Sequence, residues 1–244
     1  KVLFILVSGF WHSIYISIMP QKKEEAIQNI LSDYERLANM VLNQLDFVEK
    51  LILNGEPYLE KDKFEELVQE EELINKLEVK LSENIINAIA LYQPVASQIR
   101  QLMSCYRITI SLERIGDLAI NIVKLMRRVE NREVYQGLSD FLAKMMNLSV
   151  DMSRRSMLSF INNDMELAKW TIKSETVVDD FNRKMLKKVA ERSEMLTDDK
   201  SILISFINIK EMAAAIERIA DHAANIAEAS YYSFEGKDIR HKRN

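Results

Sequence analysis

One stretch of this 244-residue sequence recurs 104 residues further along, and the two copies align without a gap. Residues 113–122 read ERIGDLAINI and residues 217–226 read ERIADHAANI, so that seven of ten positions are identical. The agreement extends over about a hundred residues, since the apolar Leu37 and Val48 align with the apolar Phe141 and Met152. Self-similarity at a fixed offset is the signature of duplicated structural units. The sequence therefore predicts two tandem copies of one fold.

Within each copy the apolar residues recur every three or four positions, which is typical of amphipathic α-helices. The chain has only 5 Gly and 3 Pro, too few for the many turns of a β-sheet protein. We expect an all-α protein of six long helices, forming two tandem three-helix bundles at residues 24–132 and 133–244. After a first helix that begins near Glu24 and stops before residues 54–57, the predicted helices cover residues 61–92, 95–131, 134–161, 165–193 and 200–234.

The N-terminal extension, residues 1–23, is interpreted separately because it is strongly apolar. Residues 2–19 contain no Asp, Glu, Lys or Arg, and eighteen residues are marginally long enough to cross a bilayer. Three interpretations stay open. In the first, the segment is a signal peptide, although no small-residue cleavage site precedes Pro20. In the second, it is a membrane span, and Lys22 and Lys23 hold the rest of the chain in the cytoplasm. In the third, it is a packed or non-native extension.

Charge and composition exclude several classes of function. Lys and Arg number 33 against 37 Asp and Glu, and no basic stripe is visible, so direct nucleic acid binding is not expected. The single Cys105 excludes an internal disulfide and a thiolate zinc cluster. The sequence also lacks a glycine-rich phosphate loop, a G-x-S-x-G elbow and the Glu-x-x-His pairs of ferritin-type di-iron sites. We therefore expect a protein that is not an enzyme.

Each copy carries pairs of polar residues four positions apart, a spacing that puts both on one helix face. The pairs are Glu113/Asp117 and Glu217/Asp221 on the third helices, and Glu71/Asn75 and Glu175/Asp179 on the middle helices. Like charges at this spacing repel, so we expect compensation from the neighbouring Arg114 and Arg218 or from a bound cation with oxygen ligands. The alternative is a solvated acidic face without a ligand.

His222 lies about 100° around the helix from Asp221 and is expected at a surface or interface.

Several motifs together resemble those of the PhoU family of phosphate-signalling regulators. They are the repeated LERIGD and IERIAD at residues 112–117 and 216–221, QPVA at residues 93–96, and EGKDIRH at residues 235–241. The resemblance covers residues 24–244 and implies two three-helix bundles whose acidic pairs hold metal, often iron, with manganese or magnesium as alternatives. The implied ligands are Glu175, Asp179, Glu217 and Asp221 in the second copy and Glu71, Glu113 and Asp117 in the first. The first site is expected to be weaker because Asn75 replaces its fourth carboxylate, and a purified sample can lack the metal.

The resemblance further implies a cytoplasmic regulator, acting at the inner face of the membrane between a phosphate ABC transporter and a sensor histidine kinase. Such a protein is a negative regulator, because it signals phosphate sufficiency and damps the phosphate-starvation response. Long helices and twelve Met residues favour a homodimer. Two other interpretations stay open: the cytosolic PhoU-like domain of a sodium–phosphate symporter, and a structural helical module that binds no metal.

Overall fold

The computed structural model describes the backbone of residues 2–55, 57–193 and 199–239, and the side chains of residues 21–55, 57–189 and 199–239. This part of the chain contains six α-helices and no β-strand, which confirms the all-α prediction. The helices are α1 (Val2–Leu53), α2 (Lys61–Tyr92), α3 (Ala96–Met126), α4 (Arg132–Asn162), α5 (Met165–Ser193) and α6 (Lys200–Glu235).

The side chains of the apolar N-terminal segment, residues 1–20, lie outside the described part of the chain. The three interpretations of this segment therefore stay predictions. Among the described residues, no helix combines the length and the apolar character that a membrane crossing requires.

Helix ends are set by polar caps. The side chain of Asn131 accepts a hydrogen bond from Val134 N at the start of α4 (3.0 Å), and Asp199 accepts one from Ser201 N at the start of α6 (2.9 Å). Asn163 ends α4 in the left-handed region at φ 54°, which lets its N–H bond back to the helix. Within the second copy, α4 packs against α5 and α5 packs against α6, as expected for helices joined by short connections.

The third helix ends five residues earlier than predicted, at Met126 rather than residue 131. The backbone N–H groups of Glu130 and Asn131 instead donate to Ser205 Oγ on α6, at 3.1 and 2.8 Å. Arg128 contributes its carbonyl oxygen to the Asn208 amide of the same helix (3.3 Å). Side chains of the second copy thus satisfy backbone groups that a longer α3 would have paired internally.

The two copies pack against each other mainly through α3 and α6, which share the most extensive interhelical contact. The helices run antiparallel, because the start of α6 meets the end of α3 at Ser205, and Gly236 after α6 lies beside Arg100 near the start of α3. Small side chains allow this close approach. Seven alanines of α6 are buried: Ala213, Ala215, Ala220, Ala223, Ala224, Ala227 and Ala229.

A second contact between the copies joins α1 to α4. Arg154 pairs with Asp46 at 2.8 Å, and Asn147 donates to Glu49 at the same distance. Beneath these surface contacts one continuous apolar core extends through both bundles. The duplicated motifs are therefore held on a single packed scaffold, with α3 and α6 at its centre.

Candidate functional site

The first acidic face is formed where α2 packs on α3. Burial raises the pKa of Glu71, and a hydrogen bond with the Asp117 carboxyl raises it further. Asn75 Nδ2 donates to Glu71 Oε1 at 2.5 Å, which partly offsets this shift. Burial also raises the pKa of Glu113, followed in effect by the charges of Asp117 and Glu78. The three predicted residues of this copy therefore lie close enough to repel one another when ionised.

The second acidic face is formed in the same way by α5 and α6. Burial raises the pKa of Glu217, and the charges of Asp221 and Asp179 raise it further. Asn182 Nδ2 donates to Glu217 Oε2 at 2.5 Å and opposes this rise. Glu175, one turn before Asp179 on α5, is buried with 8% of its surface exposed.

In the first copy, Arg114 offsets only a small part of the repulsion between the carboxylates. The charge of Arg114 lowers the pKa of Glu113, but burial, Asp117 and Glu78 act more strongly in the opposite direction. The carboxylates thus retain unfavourable mutual interactions that a cation would relieve.

The carboxylates lie near one another without forming a preorganised metal site. Among the described side chains, no three His, Cys, Asp or Glu groups are close enough together to hold a metal ion as they stand. The donor chemistry fits a hard cation, because carboxylate and amide oxygens are its preferred ligands. Binding would require rotation of these side chains toward a common point, and metal binding stays a prediction.

A groove of about 900 Å³ is lined by residues of the two motif-bearing helices, α3 and α6. Residues that the repeat relates to each other line it in pairs. They are Arg114 and Arg218, Asp117 and Asp221, Leu118 and His222, and Asn121 and Asn225, with Lys124 in addition. One carboxylate of each acidic face, Asp117 or Asp221, therefore borders the same groove. The sequence did not predict this meeting, since it depends on how α3 and α6 pack.

His222 lies at this interface, as expected, and is half-buried. Its Nδ1 atom is buried and has no hydrogen-bond partner among the described residues. Burial lowers the pKa of His222 to about 4, and the charges of Arg114 and Arg218 contribute to this shift. The imidazole is therefore neutral at pH 7 and adds no positive charge to the groove.

Replacing His222 with leucine, the residue type at the equivalent Leu118, is expected to reduce the loss of stability in acid. Below about pH 6.5 the unfolded chain binds a proton that the folded protein accepts only near pH 4. The wild-type free energy of unfolding therefore falls as the pH decreases through this window. Because solvent screens the half-buried ring, we expect the variant to avoid about 1 kcal/mol of this loss between pH 7.5 and pH 5.

This prediction is checked by urea unfolding of wild type and His222→Leu at both pH values, with a chelator present. Every other side chain that lines the groove is common to both proteins, so the two profiles differ only through the residue at position 222. If the free energies of unfolding of the two proteins change equally between the two pH values, His222 has the same pKa in the folded and unfolded chains, and the prediction is wrong.

Comparison with known proteins agrees with the duplicated architecture. The family model described as the PhoU domain matches residues 34–126 and 142–230, one match in each copy. A relative from Aquifex aeolicus, named phosphate-specific transport system accessory protein PhoU homolog, is 30% identical over 219 residues, covering 87% of this chain and 96% of that protein. A relative of the same name from Clostridium acetobutylicum is 26% identical over 212 residues, covering 85% of this chain and 95% of that protein.

Two crystal structures share the fold. The phosphate transport system regulatory protein PhoU from Streptococcus pneumoniae superposes with a TM-score of 0.76 at 20% identity, covering 88% of this chain and 98% of that one. PhoU from Pseudomonas aeruginosa gives a TM-score of 0.70 at 21% identity, covering 88% of this chain and 99% of that one. These likenesses establish the arrangement of the helices.

Proposed function

Because this chain belongs to the PhoU family, we propose that it is a non-enzymatic regulator of phosphate uptake and phosphate-starvation signalling. The observation that carries the proposal is the extent of the family match, which includes both copies. The Aquifex aeolicus relative, whose name describes an accessory protein of phosphate-specific transport, aligns over 96% of its length. An accessory protein acts on a transport system through contacts, and the duplicated helical scaffold supports such a role.

We propose further that the protein acts between a phosphate ABC transporter and a sensor histidine kinase, where it damps the starvation response. The outer helices offer surfaces for such partners or for a second copy of the chain. On α2, four large apolar side chains are more than half exposed: Leu73 (51%), Val79 (54%), Ile86 (56%) and Leu91 (64%). Exposed apolar side chains on long helices suit helix-to-helix association.

The acidic faces support a structural cation within each copy. Glu71, Glu113 and Asp117 would hold it in the first copy, and Glu175, Asp179, Glu217 and Asp221 in the second. Iron, manganese or magnesium suits these oxygen ligands better than a thiolate-preferring ion. A bound cation would neutralise the mutual repulsion of the carboxylates and tie the middle helix of each bundle to its third helix.

Deletion of the gene in the native host, followed by measurement of phosphatase output in phosphate-rich medium, tests the regulatory proposal. We expect output to rise to the level seen in phosphate starvation and to return to its low level when the full chain is supplied. Output that stays low after deletion would contradict the proposal. Loss of sodium-dependent phosphate uptake in the same strain would favour the symporter interpretation instead.

Complementation also tests the importance of the acidic faces. Asp221→Asn removes one proposed ligand charge, whereas Glu211→Gln removes a charge from an exposed position on the same helix. We expect Glu211→Gln to restore low phosphatase output and Asp221→Asn to restore it incompletely. If both variants restore low output equally well, the acidic face is not required for regulation.

A further inference from the structure

We propose that the groove lined by α3 and α6 binds a small molecule that carries a phosphate group, and that Arg114 and Arg218 hold this group from opposite sides. This site goes beyond the contacts with protein partners proposed above, because it takes a small-molecule ligand. Its binding groups are basic and amide side chains, not the carboxylates of the acidic faces.

The packing of α3 against α6 brings the two arginines to the middle of the groove. The contacts at the two ends of this antiparallel pair fix which residues face each other. Counting residues inward from both ends puts Arg114 level with His222, and Leu118 level with Arg218. The arginines therefore lie on different helices, about four residues or about 6 Å apart along the helix axes. Two long side chains at this separation can converge on one bound group.

The basic side chains of the groove have no counter-charge. Arg114 and Arg218 are exposed, and neither forms a hydrogen bond or an ion pair with another described residue. The same holds for Lys124, the third basic residue of the groove. Asp117 also borders the groove, but its carboxyl forms a hydrogen bond with Glu71 of the first acidic face. The guanidinium groups are therefore available to an anion from solution.

A polar atom without a partner lies beside the arginines. The Nδ1 atom of His222 is buried and has no hydrogen-bond partner among the described residues, which is uncommon for a buried polar atom. The charges of Arg114 and Arg218 both lower the pKa of this imidazole, in agreement with their position on either side of it. Rotation of the ring would turn Nδ1 toward the groove, where an Nδ1–H group can donate to a phosphate oxygen.

Two guanidinium groups favour a phosphate group over a carboxylate. A guanidinium holds its N–H donors in a rigid plane and binds an oxyanion through two parallel hydrogen bonds. One such fork occupies both oxygens of a carboxylate, whereas a phosphate group has three acceptor oxygens and can engage two forks. Three basic residues line the groove against two acidic ones, Asp117 and Asp221, so its net charge suits an anion.

The groove is larger than a phosphate ion requires. Its volume of about 900 Å³ is typical of sites for small organic molecules. Asn225 lies about one turn beyond the level of Arg114, and Asn121 about one turn beyond the level of Arg218, so amides border both ends of the groove. These amides can donate and accept hydrogen bonds, and Leu118 adds an apolar contact. We therefore expect a phosphate group attached to a polar organic body of about nucleotide size.

ATP is the probe, because it combines phosphate groups with a body of the expected size. Its binding to the full chain is measured by calorimetry at low salt, with a chelator present so that no metal links the phosphates to the acidic faces. Orthophosphate and citrate are titrated in the same way. Arg114→Gln and Arg218→Gln each remove one guanidinium. Arg36→Gln removes an exposed arginine of α1, outside the groove, and serves as the matched control.

We expect ATP to bind at one site per chain, and orthophosphate and citrate to bind at least about tenfold more weakly. Arg114→Gln and Arg218→Gln should each weaken ATP binding by at least about tenfold, the usual effect of losing a charge-assisted hydrogen bond. Arg36→Gln should bind ATP as tightly as wild type. Arg114→Lys keeps the charge but loses the fork, so its affinity should lie between those of wild type and Arg114→Gln. Circular dichroism of each variant checks that the helices are retained.

Several outcomes would overturn the inference. If wild type binds none of the three anions, the basic groups of the groove do not form a phosphate site and are left for an acidic segment of a protein partner. If both groove variants bind ATP as tightly as wild type, or if Arg36→Gln weakens binding equally, the groove is not the binding site. Citrate that binds as tightly as ATP would exclude selection of phosphate, and orthophosphate that does so would exclude a role for the organic body. The regulatory proposal is decided separately, by phosphatase output.

Discussion

Replacing Tyr34 with alanine is expected to lower the free energy of unfolding by about 3–5 kcal/mol, the usual cost of deleting a large buried aromatic side chain. Tyr34 lies on α1 and is completely buried. Its ring meets the ring of Phe160 on α4 edge to face, with 5.1 Å between the centroids. The substitution would open a cavity where the two copies of the repeat join.

Urea unfolding followed by circular dichroism measures this loss, and Tyr34→Phe is the matched control. The phenylalanine variant keeps the ring and removes only the hydroxyl, whose contact with the Met157 carbonyl oxygen is long at 3.4 Å. We expect the control to lose less than about 1 kcal/mol. Similar losses in both variants would mean that the hydroxyl contact, and not ring packing, stabilises the junction.

The sequence predicted the helices well where local signals are strong. The bounds of α2 and α5 agree with the predicted residues 61–92 and 165–193. Pro94 restricts the backbone just after α2, and Asp164 caps α5 by accepting from Leu167 N at 3.1 Å. The early end of α3 was not predictable, because the partner of its following backbone groups, Ser205, is about 75 residues away in the chain.

The candidate site was predicted in its composition but not in its arrangement. Spacing identified Glu113 and Asp117 as neighbours on one helix, whereas their closeness to Glu71 depends on how α2 packs against α3. The groove between Arg114 and Arg218 likewise depends on the antiparallel packing of α3 and α6. Side-chain periodicity specifies which face of a helix is buried, but not which other helix covers it.

Replacing Gln44 with leucine is expected to raise the free energy of unfolding by about 1–3 kcal/mol. Gln44 lies on α1 and is completely buried, and neither Oε1 nor Nε2 has a hydrogen-bond partner among the described residues. An unsatisfied buried amide loses its hydration without compensation, at a cost of about 1–3 kcal/mol. Leucine has a similar volume and is the residue at the equivalent position, Leu148, in the second copy.

The surroundings of Gln44 explain why its removal should be tolerated. A Cβ atom on Gly116 would lie 3.2 Å from Gln44 Oε1, so the glycine leaves room for the amide beside the first acidic face. Gln44→Ala is the control, because it also removes the amide but creates a cavity, and it should be less stable than Gln44→Leu. Thermal and urea unfolding of both variants measure the difference. If Gln44→Leu is less stable than wild type, the amide has a partner such as a buried water, and a polar group at this position contributes to holding α1 against the helix that carries Glu113 and Asp117.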